Sequence, residues 1–110
     1  MRTGPKDKLY LVVRADLCPG QQAVQSVHAM RQFIAEHTGI EREWFELSNH
    51  LALLSAPDEW SLLKLVREAR QKGIRVSSFR EPDRGNELTA IALEPRAKKL
   101  LRGFPLALRA

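Results

Sequence analysis

The residues of this chain that could do chemistry fall into three short sets. Asp16 follows Arg14 closely, and Glu81, Asp83 and Glu87 are interleaved with Arg80 and Arg84. Mixed charge of this kind can orient a water molecule or hold a phosphate backbone. It can equally brace a loop through ion pairs. Asn86 and Thr89 add neutral hydrogen-bonding groups beside the second set. The third set is Gln21, Gln25, His28 and Gln32, which share one tight stripe of a helix at about 100° per residue. Such a stripe is a solvated face or, with Gln25 and His28 one turn apart, the wall of a cleft. Cys18 precedes a helix start, a setting that activates thiols, and His28 could serve it as a base. His28, His37 and His50 show no metal-ligand spacing, and neither a phosphate-binding Gly-rich loop nor a Gly-x-Ser-x-Gly elbow occurs.

These side chains need elements to hold them. Lys8-Leu-Tyr-Leu-Val-Val-Arg-Ala15 predicts a strand over Leu9–Ala15, buried on both faces. Arg14 and Asp16, two apart at its C-terminal end, point to the same side. Pro19-Gly20 opens a helix carried to about Thr38, with Gly39 as its stop. Ala23, Val27, Met30 and Ile34 fall in one arc of about 60° and form its expected core face. Residues 40–48 suggest a short second helix with Trp44 in the core, and His50–Ser55 a second strand. Ser55-Ala-Pro-Asp58 is a helix-entry signal, with the Ser55 hydroxyl as cap. The helix runs from about Pro57 to Lys72, burying Leu62, Leu63, Val66 and Ala69 and turning Lys64, Arg67, Glu68, Arg70 and Gln71 to water. Ile74–Arg80 alternates as a half-exposed strand, Glu81–Glu87 is a polar loop, and Leu88–Leu93 is a last strand. Pro95 begins a short basic helix, Arg96–Arg102, and Phe104–Leu108 is an apolar tail that must pack on this domain or on a second copy.

The order implies an α/β fold: a single domain with a mixed four-stranded sheet and helices on both faces. The short connection between the last two strands favours pairing them antiparallel. The domain is expected over residues 8–110, behind a polar tail over 1–7. A strand end followed by Gly20 and a helix start gathers backbone N–H groups at one edge of the sheet, the default place for a site in such a fold.

Bulk properties narrow the classes. A chain of 110 residues is long enough to bury one core without staples. The single cysteine excludes an internal disulfide framework and a cysteine-based zinc site, and suits a reducing cytoplasm. No apolar run approaches the roughly 18 residues of a membrane span, and the N-terminus lacks the apolar core of a signal peptide. A net charge of +5 and a pI near 9.9 permit an anionic partner such as RNA. The aromatic residues, four Phe, two Trp and one Tyr, are scattered rather than interleaved with basic ones, unlike an RNA-stacking platform.

The run Leu-Val-Val-Arg-Ala-Asp-Leu17 with Gly20, Ala23, Gln25 and His28-Ala29 resembles the opening of the type-two (archaeal and eukaryotic-type) peptidyl-tRNA hydrolases. Ala56-Pro-Asp-Glu59, Ala69-Arg-Gln-Lys-Gly73, the strand into Arg80, and Thr89-Ala-Ile-Ala-Leu93 with Pro95 match in the same order, so the resemblance spans about residues 8–102. It implies a four-stranded mixed sheet flanked by helices. It also implies hydrolysis of the ester joining a peptide to the terminal ribose of tRNA, without metal or organic cofactor, by a homodimer. Where that family carries Gly-Lys-x-Ala-x-Gln, this chain has Gly20-Gln-Gln-Ala-Val-Gln25, so Gln21 takes the place of a lysine. Glu81 stands where the family has an aspartate and Gly85 where it has a threonine, and Thr89 could supply the missing hydroxyl. The loop Glu81-Pro-Asp-Arg-Gly-Asn86 is closer to a divergent branch, the peptidyl-tRNA hydrolase domain-containing proteins.

On this resemblance Glu81 or Asp83 positions water, while Gln25 and His28 hold the substrate or polarise its ester. Arg14, Asp16, Gln21, Arg84, Asn86 and Thr89 contact the tRNA substrate. A second reading is a catalytically inactive tRNA- or protein-binding module of the same fold. A third is a small hydrolase using Cys18 and His28.

Overall fold

In the computed structural model, which describes residues 3–109, the apolar run becomes strand β1 (Lys8–Arg14). Helices α1 (Pro19–Glu36) and α2 (Thr38–Leu47), strand β2 (His50–Ala56), helix α3 (Glu59–Gln71), and strands β3 (Val76–Glu81) and β4 (Glu87–Leu93) follow. The sheet order is β2-β1-β4-β3. β1 and β2 are parallel; β4 runs antiparallel to both β1 and β3. This is the expected mixed four-stranded sheet with helices on both faces. Met1, Arg2 and Ala110, the first two from the expected tail, lie outside the described residues.

Alternation along β1 feeds two cores. Leu9, Leu11 and Val13 pack with Ala29, Phe33 and Trp44 beneath α1 and α2. Tyr10 and Val12 pack with Leu62, Leu65, Val66 and Ala69 of α3 and with Leu101 near the C-terminus. Trp44 is buried as expected, and its indole N–H donates to the His50 carbonyl at 2.6 Å.

Helix α1 corrects the predicted core face. Its buried residues are Gln22, Gln25, Ser26, Ala29 and Phe33, whereas Val27 is 68% exposed and Ala23 faces solvent. Met30 and Ile34 sit half-buried at the border. At about 100° per residue the true face is turned roughly 110° from the predicted arc. The physical reason is that its polar members are satisfied. Gln22 Nε2 donates to the Leu17 carbonyl at 2.7 Å, and the Ser26 hydroxyl to the Gln22 carbonyl at 2.7 Å. α1 also ends earlier, at Glu36, because the chain turns at His37 and restarts; Gly39 lies inside α2 rather than stopping α1.

Helix α3 is entered from Asp58, not Ser55. The Asp58 carboxylate accepts the Ser61 backbone N–H at 2.9 Å. Leu65 takes the buried place expected for Leu63, which is exposed. The basic helix expected at 96–102 is a 3₁₀ turn, Pro95–Lys98, followed by turns. The C-terminal tail packs on its own domain: the Pro105 carbonyl accepts the Ser55 N–H, and Ala107 N–H donates to the Leu53 carbonyl, each at 2.9 Å. This covers the β2 edge of the sheet. The opposite edge, β3, pairs on one side only. Among the described residues, no helix is long and apolar enough to cross a membrane.

Candidate functional site

The site forms where the sheet opens. β1 pairs with β4 from Tyr10↔Leu93 to Val13↔Ala90, and no further. Beyond that point side chains take over the backbone groups: Leu88 N–H donates to Glu59 Oε2 at 2.8 Å, and the Leu88 carbonyl accepts from Arg14 at 3.3 Å. The β3–β4 register also slips here. Phe79 lies opposite Ala90 and Arg80 opposite Leu88, so Thr89 is the extra residue of a β-bulge. Strict alternation would aim Thr89 toward α3, on the same face as Ile91; the bulge turns it toward α1 instead.

Helix α1 lies over β3 so that the predicted polar stripe meets the residues of the strand facing it. Gln25 meets Glu81 and His28 meets Phe79, while Gln32 donates to Glu36, a residue outside the predicted stripe that accepts from Ser77. Gln25 is wholly buried. Its Nε2 donates to Glu81 Oε1 and to Gln21 Oε1, each at 3.1 Å, and its Oε1 accepts from the Thr89 hydroxyl at 2.7 Å. The carboxylate fixes the amide orientation, because the flipped amide would set oxygen against oxygen. Glu81 is half-buried, and its Oε2 makes no hydrogen bond among the described residues. The stripe is thus more than a solvated face: Gln25 is buried against β3, and the exposed His28 ring stacks on Phe79 at 4.4 Å and 10°.

A charged brace stands beside this triangle. Arg14, 6% exposed, donates from Nε and Nη2 to the two oxygens of Asp16, each at 2.9 Å. Its Nη1 reaches Glu87 at 2.7 Å. The hydrogen bonds to Arg14, first of all, hold the Asp16 and Glu87 carboxyls below their usual range, and the same bonds hold the Arg14 guanidinium firmly charged. Arg84 Nε approaches Glu87 at 3.5 Å. So committed, Arg14 is a brace between the ends of β1 and β4 rather than a free phosphate hook.

The remaining predicted residues are dispersed. Asp83 sits exposed in the 3₁₀ turn Pro82–Arg84, with no hydrogen bond among the described residues. Asn86 shapes the turn: its φ is +62°, its N–H donates to the Glu81 carbonyl at 2.9 Å, and its carbonyl accepts from Arg80 at 3.2 Å. Gly85 precedes it at φ +63°, a conformation that strains a β-branched threonine. Cys18 is exposed at the N-cap of α1, ten residues before His28. That separation is about 15 Å of helix, so the thiol and imidazole cannot act as a pair. Glu59 and Phe79 are the contributors that the sequence reading missed. Glu59 had a signal, an acid in the first turn of a helix entering beside the sheet; Phe79 had none beyond its alternation.

The comparisons with known proteins agree with this architecture. Among curated proteins, none matches the chain. A solved structure of a protein of unknown function from Agrobacterium tumefaciens strain C58 superposes with a TM-score of 0.65 at 17% identity, covering 90% of this chain and 96% of that one. At that identity the likeness is one of fold. The family model described as peptidyl-tRNA hydrolase PTH2 matches residues 7–109. With nearly the whole chain matched, and with the mixed four-stranded sheet in place, this protein belongs to the peptidyl-tRNA hydrolase PTH2 family.

Proposed function

We propose that this chain is an esterase that cleaves the bond between a peptide and the terminal ribose of tRNA. The observation that carries the reading is the Glu81–Gln25–Thr89 triangle, in which one carboxylate oxygen of the half-buried Glu81 is held and the other has no hydrogen bond among the described residues. In this mechanism Glu81 Oε2 takes a proton from a water as its oxygen attacks the ester carbonyl. The tetrahedral intermediate then collapses. Glu81 returns the proton to the departing ribose oxygen, leaving a free peptide acid and deacylated tRNA. The Gln21 amide oxygen is taken up by Gln25, which turns the Gln21 NH₂ outward as a donor for the developing oxyanion. Thr89 acts by fixing Gln25, and His28 on Phe79 offers a flat wall to the substrate. Asp83, Arg84 and Asn86 lie at the mouth, where Arg84 meets tRNA phosphate. The mechanism calls on no cofactor, and the cytoplasm is the location that fits a tRNA substrate. A homodimer belongs to the same proposal, with Leu106 (57% exposed) and Leu108 (47%) as apolar surface for a second copy.

A second reading keeps the tRNA- or protein-binding fold without hydrolysis. Gln21 favours it, because a neutral amide replaces the charge implied at that position. Release of N-acetyl-aminoacyl groups from purified tRNA separates the two. The esterase reading expects turnover that falls by about 10²–10⁴-fold in Glu81→Gln and persists in Cys18→Ser. Release no faster than in buffer is the result that supports the binding module.

A further inference from the structure

A second gathering of charge lies on the other face of the sheet's free edge. Arg67 and Arg70 sit one turn apart on α3, and Arg80 projects from β3 into the same space. Together with Ser78, Leu63 and Leu88 they line an open cleft of about 560 Å³ to which no carboxylate contributes. Arg67 and Arg70 make no hydrogen bond or ion pair among the described residues, and Arg80 gives one bond, to the Asn86 carbonyl. Two carboxylates stand near it and both are engaged elsewhere: Glu59 accepts the Leu88 backbone N–H at 2.8 Å, and Glu36 on α1 accepts from Ser77 and Gln32. Like charges converging on one concavity repel each other unless an anion lies among them.

We infer that this cleft holds phosphate groups of an RNA backbone, seating the body of the tRNA while its acylated end reaches Glu81. The inference rests on the tRNA substrate proposed above. Guanidinium groups suit it because their fork matches phosphate oxygens bidentately. The cleft's openness suits a polymer rather than a small enclosed anion, and its apolar side, Leu63 and Leu88, suits the faces of sugars and bases. Arg80 and Glu81 are neighbours on one strand and point to opposite faces. The strand between them is the uncovered edge of the sheet, unlike β2, which the C-terminal segment covers. A nucleic-acid strand crossing that edge therefore touches both sites.

The test is fluorescence anisotropy of labelled, deacylated tRNA across a salt series. The proteins are wild type, Arg67→Gln/Arg70→Gln, Arg80→Gln alone, and Lys98→Gln/Lys99→Gln as a control of equal charge loss elsewhere. Circular dichroism confirms that each variant is folded. The arginine pair is expected to weaken binding by about tenfold or more and to reduce the salt slope by about two, and Arg80→Gln by about one; the lysine pair changes little. In the release assay the arginine pair raises KM and leaves kcat within about twofold, since the chemistry lies on the other face. Equal losses from the arginine and lysine pairs, or none from the arginines, overturn the inference. So does displacement of tRNA by sub-millimolar inorganic phosphate, which marks a small phosphorylated ligand instead. Because deacylated tRNA needs no turnover, arginine-dependent binding without peptide release upholds this site and sinks the esterase reading alone.

Discussion

At the scale of single residues, Gln25 is the side chain on which the site depends. It is uncharged and wholly buried, and it satisfies three neighbours through one amide. A buried amide is costly when a partner is lost, because its desolvation is no longer offset. Thr89→Val keeps the shape of Thr89 and removes only its hydroxyl. It leaves the Gln25 oxygen unpaired in a dry place, so urea denaturation is expected to show a loss of about 1–3 kcal/mol. An unchanged midpoint contradicts the assigned hydrogen bond. Gln21 is the other instructive residue. With its oxygen accepting from Gln25, it presents donors where the resemblance implies an ammonium group, and so offers a hydrogen bond without a charge.

At the scale of elements, the ends of β1 and β4 are joined by charge where backbone pairing stops. Arg14 links Asp16 and Glu87, and both carboxyls have pKa values lowered below the ordinary 3.8 and 4.5. The sign follows from linkage. Each group contributes stability that is complete above its unfolded pKa and is lost as pH falls through the lower folded value. The stability of the wild type is therefore expected to fall more steeply below about pH 4.5 than that of Asp16→Asn/Glu87→Gln. Thermal melts at pH 7, 5, 4 and 3 read this directly; parallel curves contradict it. The strands were legible in the sequence because β-branched and apolar runs leave few alternatives, and the short β3–β4 connection announced an antiparallel pair. That Arg14 and Asp16 share one side was legible from their spacing; that they pair with each other was not. The buried face of α1 was not. Periodicity counts apolar side chains, whereas this helix buries Gln22, Gln25 and Ser26, each through side-chain hydrogen bonds, and leaves Val24 and Val27 to solvent. The bulge at Thr89 was equally invisible, since one inserted residue alters pairing without altering composition.

At the scale of the whole molecule, the sheet separates two polar surfaces. Its α1 face holds a carboxylate, an amide and a hydroxyl in a half-buried triangle. Its α3 face offers arginines in an open cleft, and the free edge of β3 joins the two. A net charge of +5 favours an anionic partner without selecting between the faces. In the proposed mechanism Gln25 makes a hydrolytic site of Glu81. This is tested most directly by a double-mutant cycle on peptide release from N-acetyl-aminoacyl-tRNA, with Glu81→Gln, Gln25→Ala and both together. If Gln25 acts through Glu81, either single substitution lowers kcat and the double variant is scarcely slower than Glu81→Gln alone. A Gln25→Ala enzyme with undiminished kcat, or losses that simply multiply, shows that Gln25 does not act through Glu81.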